Sequence, residues 1–281
     1  MLIDWLISPL SFSFMQRGLL AALIVGVLCA VVGCYVVLRS MAFLGDALAH
    51  AVLPGVAIAY IIGGNLTIGA LVAAVLVALG ISLFTRQGVI KEDTAIGILF
   101  SAALSLGVVL ISTVRTYAVD LSHILFGNVL GVSDADLWLT GGVGVLIILT
   151  IIFFYKPFLV ISFDPILAAT LRLPREFLRT LLMVLLALTI VVSMQTVGVG
   201  LAAAMLVTPG ATAYLLTRRL SAMMLLAAVL GGTASLVGLY VSYYINVASG
   251  AAVVLTATVF FLLAFLFAPR TGLIWQHRRV Y

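Results

Sequence analysis

Long apolar runs follow one another from near the N-terminus almost to the end of the chain, at roughly 15–38, 42–62, 66–84, 94–113, 136–155, 178–196, 198–217, 221–245 and 249–268. A bilayer core takes about 20 such residues as a helix. A backbone in lipid must also satisfy its own hydrogen bonds, which leaves the helix as the economical solution. The run at 198–217 contains Gly198, Gly200, Pro209 and Gly210 and reads as a broken or partly re-entrant helix, so eight or nine spans are expected. Of the 281 residues 65% are hydrophobic and 8% charged, against about 25% charged in soluble domains. A soluble core of this size could not hide that surface, and a disordered chain would not carry it. The fold class is an all-α polytopic membrane protein, with residues 1–281 forming one transmembrane domain.

The bases set the orientation. With the N-terminus outside, the inner segments hold Arg39; Arg86 and Lys91; Lys156, Arg172, Arg175 and Arg179; Arg218 and Arg219; and Arg270, Arg278 and Arg279. Only Arg17 and Arg115 are left outside, so the bias of Lys and Arg toward cytoplasmic loops places the N-terminus out and the C-terminus in. A net charge of +5 made of such scattered bases forms no nucleic-acid patch. Cys29 and Cys34, five positions apart on one helix, point away from each other and read as packing residues.

Residues 1–14 read as an interfacial segment. An outer connection, 114–135, is apolar enough to dip into the bilayer. An inner one, 156–178, holds Asp164 as an N-cap, Pro165 at a first helical position and Pro174 as a stop, giving about two turns on the cytoplasmic face. A helix so placed docks onto headgroups or onto a partner protein.

No Gly-x-x-x-x-Gly-Lys-Ser/Thr loop occurs, so the chain has no P-loop of its own for ATP hydrolysis. No His-Glu-x-x-His or Gly-x-Ser-x-Gly occurs either, so it is not read as an enzyme. Asp4, Asp120, Asp134 and Asp136 fall on the outer side and Glu92, Asp93, Asp164 and Glu176 on the inner; the ninth acid, Asp46, lies within the second span, four residues before His50. That spacing places carboxylate and imidazole on one stripe of a helix. Ionisable groups in a span are costly and mark ion pathways by default. Pro54 continues the stripe and is expected to free the His50 carbonyl as a third oxygen. Carboxylate with imidazole suits Mn²⁺, Fe²⁺ or Zn²⁺ better than Cu⁺ or Ca²⁺. The plainer alternative is that Asp46 and His50 hydrogen-bond each other and pin neighbouring helices. Asp120 and His123 share a face in the outer connection and are the weaker metal candidates, solvation being the simpler account of both.

The stretch Leu38-Arg-Ser-Met-Ala-Phe-Leu-Gly-Asp-Ala-Leu-Ala-His-Ala-Val-Leu-Pro-Gly55 resembles the signature of permease subunits of the manganese, zinc and iron branch of bacterial ABC importers. Three further stretches resemble that family in its own order. They are Asp120-Leu-Ser-His-Ile-Leu-Phe-Gly-Asn128, like its outer re-entrant segment; Ser162 to Pro174, like its cytoplasmic coupling segment; and Thr196 to Ala213, like its late glycine- and proline-containing helix. The resemblance implies a fold similar to the cobalamin-type (type II) importers, lacking their first helix. It implies a homodimer with two ATP-binding cassette subunits, loaded by an extracytoplasmic metal-binding protein or lipoprotein, in the bacterial cell (inner) membrane. ATP is bound on the partner subunit, and the chain holds no permanent cofactor. Asp46 and His50 match the family's metal-contacting positions. Ser162, Phe163, Asp164, Pro165, Ile166, Leu167, Ala168, Leu171 and Pro174 match the ATPase-docking helix, and Pro54, Gly198, Gly200 and Pro209 shape the pathway. Arg172 departs from the pattern, where glycine is usual, and Gly210 stands where alanine is common. The cargo could be manganese, zinc or iron, and the His-Ile-Leu-Phe-Gly-Asn stretch tilts the reading to manganese. A gradient-driven secondary carrier or channel working without an ATPase is the alternative; it predicts inverted repeats, and none is evident.

Overall fold

The computed structural model describes residues 8–86, 90–113, 129–163 and 165–268. Among them nine helical segments are long and apolar enough to cross a membrane. They comprise α1 (Ser13–Leu38); α2 (Leu44–Ala51) with α3 (Leu53–Ile61); α4 (Leu66–Thr85); α5 (Glu92–Ser112); α6 (Asp134–Phe153); α9 (Arg175–Val197); α10 (Val199–Leu216); α11 (Leu220–Ile245); and α12 (Ser249–Phe267). Two short helices, α7 (Tyr155–Phe163) and α8 (Pro165–Thr170), lie in the inner connection.

Helix α1 is the axis of the bundle. Its buried positions, among them Ala22, Cys29, Ala30, Val32, Cys34 and Tyr35, occupy most of its circumference. On one side it packs against α10 and α11, with α12 behind them; on the other it meets α6 and α9. Helices α2 to α5 form a second layer joined to the axis through α9 and α10. Cys29 lies against the Ser193 hydroxyl at 3.3 Å and Cys34 donates to the Ala30 carbonyl, so the two thiols part as their spacing requires. The outermost helices stay apolar on their free faces, with Leu83, Val109, Leu149 and Leu255 exposed, as a lipid-facing surface must be.

The charged ends agree with the orientation read from the bases. Arg17 at the start of α1 pairs with Asp134 at the start of α6, 2.8 Å apart, both at predicted outer ends. Arg39, Glu92 and Arg179, from three predicted inner ends, meet at the opposite end of the bundle.

Three expectations change. The seventh span is not broken: α10 runs continuously through Pro209, and the interruption falls before it at Gly198, whose φ of 90° and ψ of 162° suit glycine. The second span is the interrupted one, splitting at Val52 between α2 and α3. There Pro54 has no N–H to donate and its ring would collide with the His50 carbonyl. In the inner connection α8 ends before Pro174 is reached. Arg172 takes a left-handed φ of 52°, and the N–H groups of Arg172 and Leu173 return to the carbonyls of Ala169 and Ala168 at 3.0 and 3.1 Å. This is the turn for which helices prefer glycine, and Pro174 caps the start of α9 instead. Arg172→Gly is therefore expected to tighten α8 by about 1 kcal/mol, read as roughly fivefold slower amide exchange at Leu171 and Leu173.

Candidate metal pathway

Helix α2 is short, and its neighbours fix which way it faces. Leu44, Gly45, Leu48 and Ala51 are buried against α5, α9 and α10. Gly45 lies beside Leu206 and Ala203 of α10, so close that a Cβ would stand 2.8 Å from a Leu206 methyl group. Leu206 also touches Gly33, five residues before the inner end of α1. At 1.5 Å per residue that level lies about 8 Å inside the bundle. The packing leaves Asp46 and His50 on the free stripe, with side chains 61% and 31% exposed.

Nε2 of His50 lies 3.6 Å from Oδ1 of Asp46. That is longer than a hydrogen bond, and among the described residues neither group makes a polar contact with another helix. The pair therefore pins no helices together. Two donor atoms this far apart can both reach one divalent ion at bond lengths of about 2.1 Å. The ring of Phe100 from α5 stands beside the His50 ring, with centroids 6.1 Å apart and the planes tilted by 56°. The expected third oxygen is not idle: the Val52 N–H at the end of α2 is directed at the His50 carbonyl. Among the described residues no three His, Cys, Asp or Glu side chains gather, and Asp46 and His50 are the two that stand together here.

The other predicted residues divide. Asp120, His123 and Asp164 lie outside the described residues. Pro54 opens α3, where it sets the break beside His50. Of the late glycines, Gly198 is required by its φ; Gly210 packs tightly on Gly33, whose carbonyl would stand 3.3 Å from an added Cβ; Gly200 meets open space, so packing does not account for it. In the inner connection Phe163, Ile166, Leu167 and Leu171 are exposed, Ile166 by 79%, while Ala168 is buried and anchors α8. An exposed apolar ridge on a basic inner surface is suited to a protein partner.

Sequence reasoning missed the cluster of Arg39, Glu92 and Arg179, placing all three on the inner side without bringing them together. Burial presses the Arg39 guanidinium below its ordinary value while Glu92 opposes that effect, and it remains a cation. The available signal was Arg179, which falls inside the run 178–196 and is buried.

The sequence model of the ABC 3 transport family matches residues 11–268. The chain belongs to that family. Among ABC 3 relatives, the manganese transport system membrane protein MntC of Halalkalibacterium halodurans is 51% identical over 270 residues, covering 96% of this chain and 92% of its own. The manganese import system permease protein ScaB of Streptococcus gordonii is 47% identical over 92% of this chain and 93% of its own. An iron transport system membrane protein of Haemophilus influenzae is 43% identical over 93% and 96%. The solved structure of PsaBC from Streptococcus pneumoniae in complex with Fab superposes with a TM-score of 0.84 at 46% identity, covering 96% of this chain and 98% of that one. A metal-chelate type ABC transporter in an inward-facing conformation, 17% identical with a TM-score of 0.71, shares the fold alone, over 90% of this chain and 86% of that one. The ABC 3 chain described here is accordingly an all-α, multi-pass membrane permease with a type II importer-like fold.

Proposed function

We propose that this permease forms the translocation pathway of an ATP-driven importer of divalent transition metal ions, with manganese as its cargo. It works in the bacterial cell membrane as a homodimer with two ATPase subunits and an extracytoplasmic metal-loaded binding protein. The observation that carries this reading is the Asp46–His50 pair, held 3.6 Å apart on the unpacked stripe of a helix inside an interrupted span. Two donors per chain make a weak site, which suits a carrier that must release its ion. A second copy facing the first across that stripe, or water, completes the coordination sphere. The names of the relatives support manganese over zinc, since ligand chemistry alone does not separate them.

Energy for the switch comes from the ATPase. The exposed ridge of Phe163, Ile166, Leu167 and Leu171 is the docking surface, and its movement changes the access of the metal pair from outside to inside. Each state must bind the ion with a different affinity, because only a differential affinity can drive the exchange.

The test is uptake into proteoliposomes holding this chain and its ATPase subunit, supplied with loaded binding protein. ATP-dependent Mn²⁺ accumulation is expected, with Zn²⁺ binding more tightly and inhibiting it. Ile166→Asp, on an exposed position, is expected to leave the permease folded and to weaken ATPase association at least tenfold. Uptake by this chain alone, indifferent to ATP, would establish a gradient-driven carrier instead.

A further inference from the structure

At the inner end of the bundle one carboxylate is shared by two arginines from two other helices. Glu92 Oε1 accepts from Arg39 Nη2 at 2.8 Å and from Arg179 Nη2 at 2.7 Å. Arg179 also donates through Nη1 to the Thr85 carbonyl at the end of α4, at 3.2 Å. The side chains of Arg39, Glu92 and Arg179 are only 14%, 22% and 9% exposed, so solvent screens the cluster weakly.

The elements joined here are those that connect the docking ridge to the metal pair. Arg39 caps α1 and leads into α2 through a tight turn, closed by the Met41 N–H on the Val36 carbonyl at 3.0 Å. Glu92 opens α5, which packs along α2 and brings Phe100 to His50. Arg179 lies in the second turn of α9, the helix that leaves α8 through the Arg172 turn and Pro174. A displacement of α8 reaches Arg179 within one short turn of chain, and from Arg179 it reaches both neighbours of α2.

The cluster is also incompletely satisfied. Among the described residues Arg39 Nη1 and Arg179 Nε are buried without a hydrogen-bond partner, and so is Glu176 Oε2, one turn before Arg179 on the same helix. Spare donors and a spare acceptor at one helix end allow a second pairing, and a buried polar network with two pairings is a bistable element.

We propose that Arg39, Glu92 and Arg179 are positioning residues that form a clasp, closed in this structure, through which movement of α8 is transmitted to Asp46 and His50. The inference rests on the ATPase-driven reading above. In the reconstituted complex, Glu92→Gln is expected to preserve assembly, ATP hydrolysis and Mn²⁺ binding, and to lower the metal transported per ATP hydrolysed at least tenfold. A merely structural ion pair behaves differently. Its loss harms the fold by leaving buried arginines unpaired, so Arg39→Gln and Arg179→Gln combined with Glu92→Gln would restore stability and transport together. Continued uncoupling in that triple variant, at recovered thermal stability, supports the clasp; recovery of the transport ratio overturns it. A measurement on the wild-type complex needs no variant: binding of ATP should change amide exchange at 39–51 and 175–182 together, and unchanged exchange at 39–51 would overturn the proposal. Wild-type vesicles without ATP-dependent uptake would remove the importer reading and the clasp with it. Active wild-type vesicles with a fully coupled Glu92→Gln would remove the clasp alone.

Discussion

Asp46→Asn and His50→Ala are each expected to reduce metal uptake by at least a hundredfold while the permease still assembles and melts as the parent does. The size of the effect follows from how few donors there are. One chain supplies a carboxylate and an imidazole and, among the described residues, no third such side chain near them. Loss of groups that merely orient a metal ligand costs about 10- to 100-fold, and loss of the ligand itself costs no less. The fold tolerates both changes for a reason visible in the packing. Asp46 and His50 occupy the free stripe of α2, and neither bonds to another helix, so their removal opens no cavity and orphans no buried partner. Asp134→Asn is the matched control, since it removes an acid at the opposite end, paired with Arg17 on an exposed surface where such pairs contribute little. Uptake in reconstituted vesicles, measured beside thermal melting, decides the matter. Normal uptake by either pathway variant would take the pair out of the mechanism.

The sequence made the spans legible because the bilayer imposes a length and a polarity that composition must obey. The run predicted at 15–38 is helix Ser13–Leu38, and that at 249–268 is Ser249–Phe267. The pair proposed for the pathway stands out in the sequence for the same reason: an acid and a histidine one turn apart in an apolar run have no inexpensive structural explanation. Helix interruptions were not legible. Pro54 and Pro209 give the same local signal, yet one opens a new helix while the other lies inside a continuous one. The difference lies in the tertiary setting, where Leu206 and Gly210, on either side of Pro209, both lie against Gly33 of α1. The end of α8 was misread for a related reason. An arginine in left-handed conformation breaks the usual preference, and only hydrogen bonds back to Ala168 and Ala169 reveal the turn. The clasp was hidden by distance along the chain, since Arg39 and Glu92 stand 53 positions apart. Charge patterns read along one helix do not report which helix ends will meet.

The largest expected loss of stability belongs to Gly33→Ala. A Cβ at this position would overlap the carbonyl oxygen of Leu206 and stand 2.7 Å from its carbonyl carbon. Both atoms are backbone, so no rotamer change relieves the clash. Carbon atoms pack at about 3.5–4.0 Å, so α1 and α10 would have to separate by roughly 1 Å. A gap of that size forfeits a quarter to a half of each dispersion contact along the interface. Without a hydrophobic force between helices in lipid, close contact of this kind is what holds them together. The loss should reach about 3 kcal/mol, at the upper end for overpacking. Leu206 also lies beside Gly45, so an α10 that moves to relieve the clash carries its side chain against α2. A shifted α10 therefore pushes on α2 and displaces Asp46 and His50, so uptake should fall even in the fraction that folds. Gly97→Ala and Gly142→Ala are the controls: nothing lies within 4 Å of either added carbon, and alanine favours a helix over glycine by about 1 kcal/mol. Thermal melting of the three variants in detergent should place Gly33→Ala well below the parent and the other two at or above it. If Gly33→Ala melts with the parent, the close approach of α1 and α10 does not hold this bundle together.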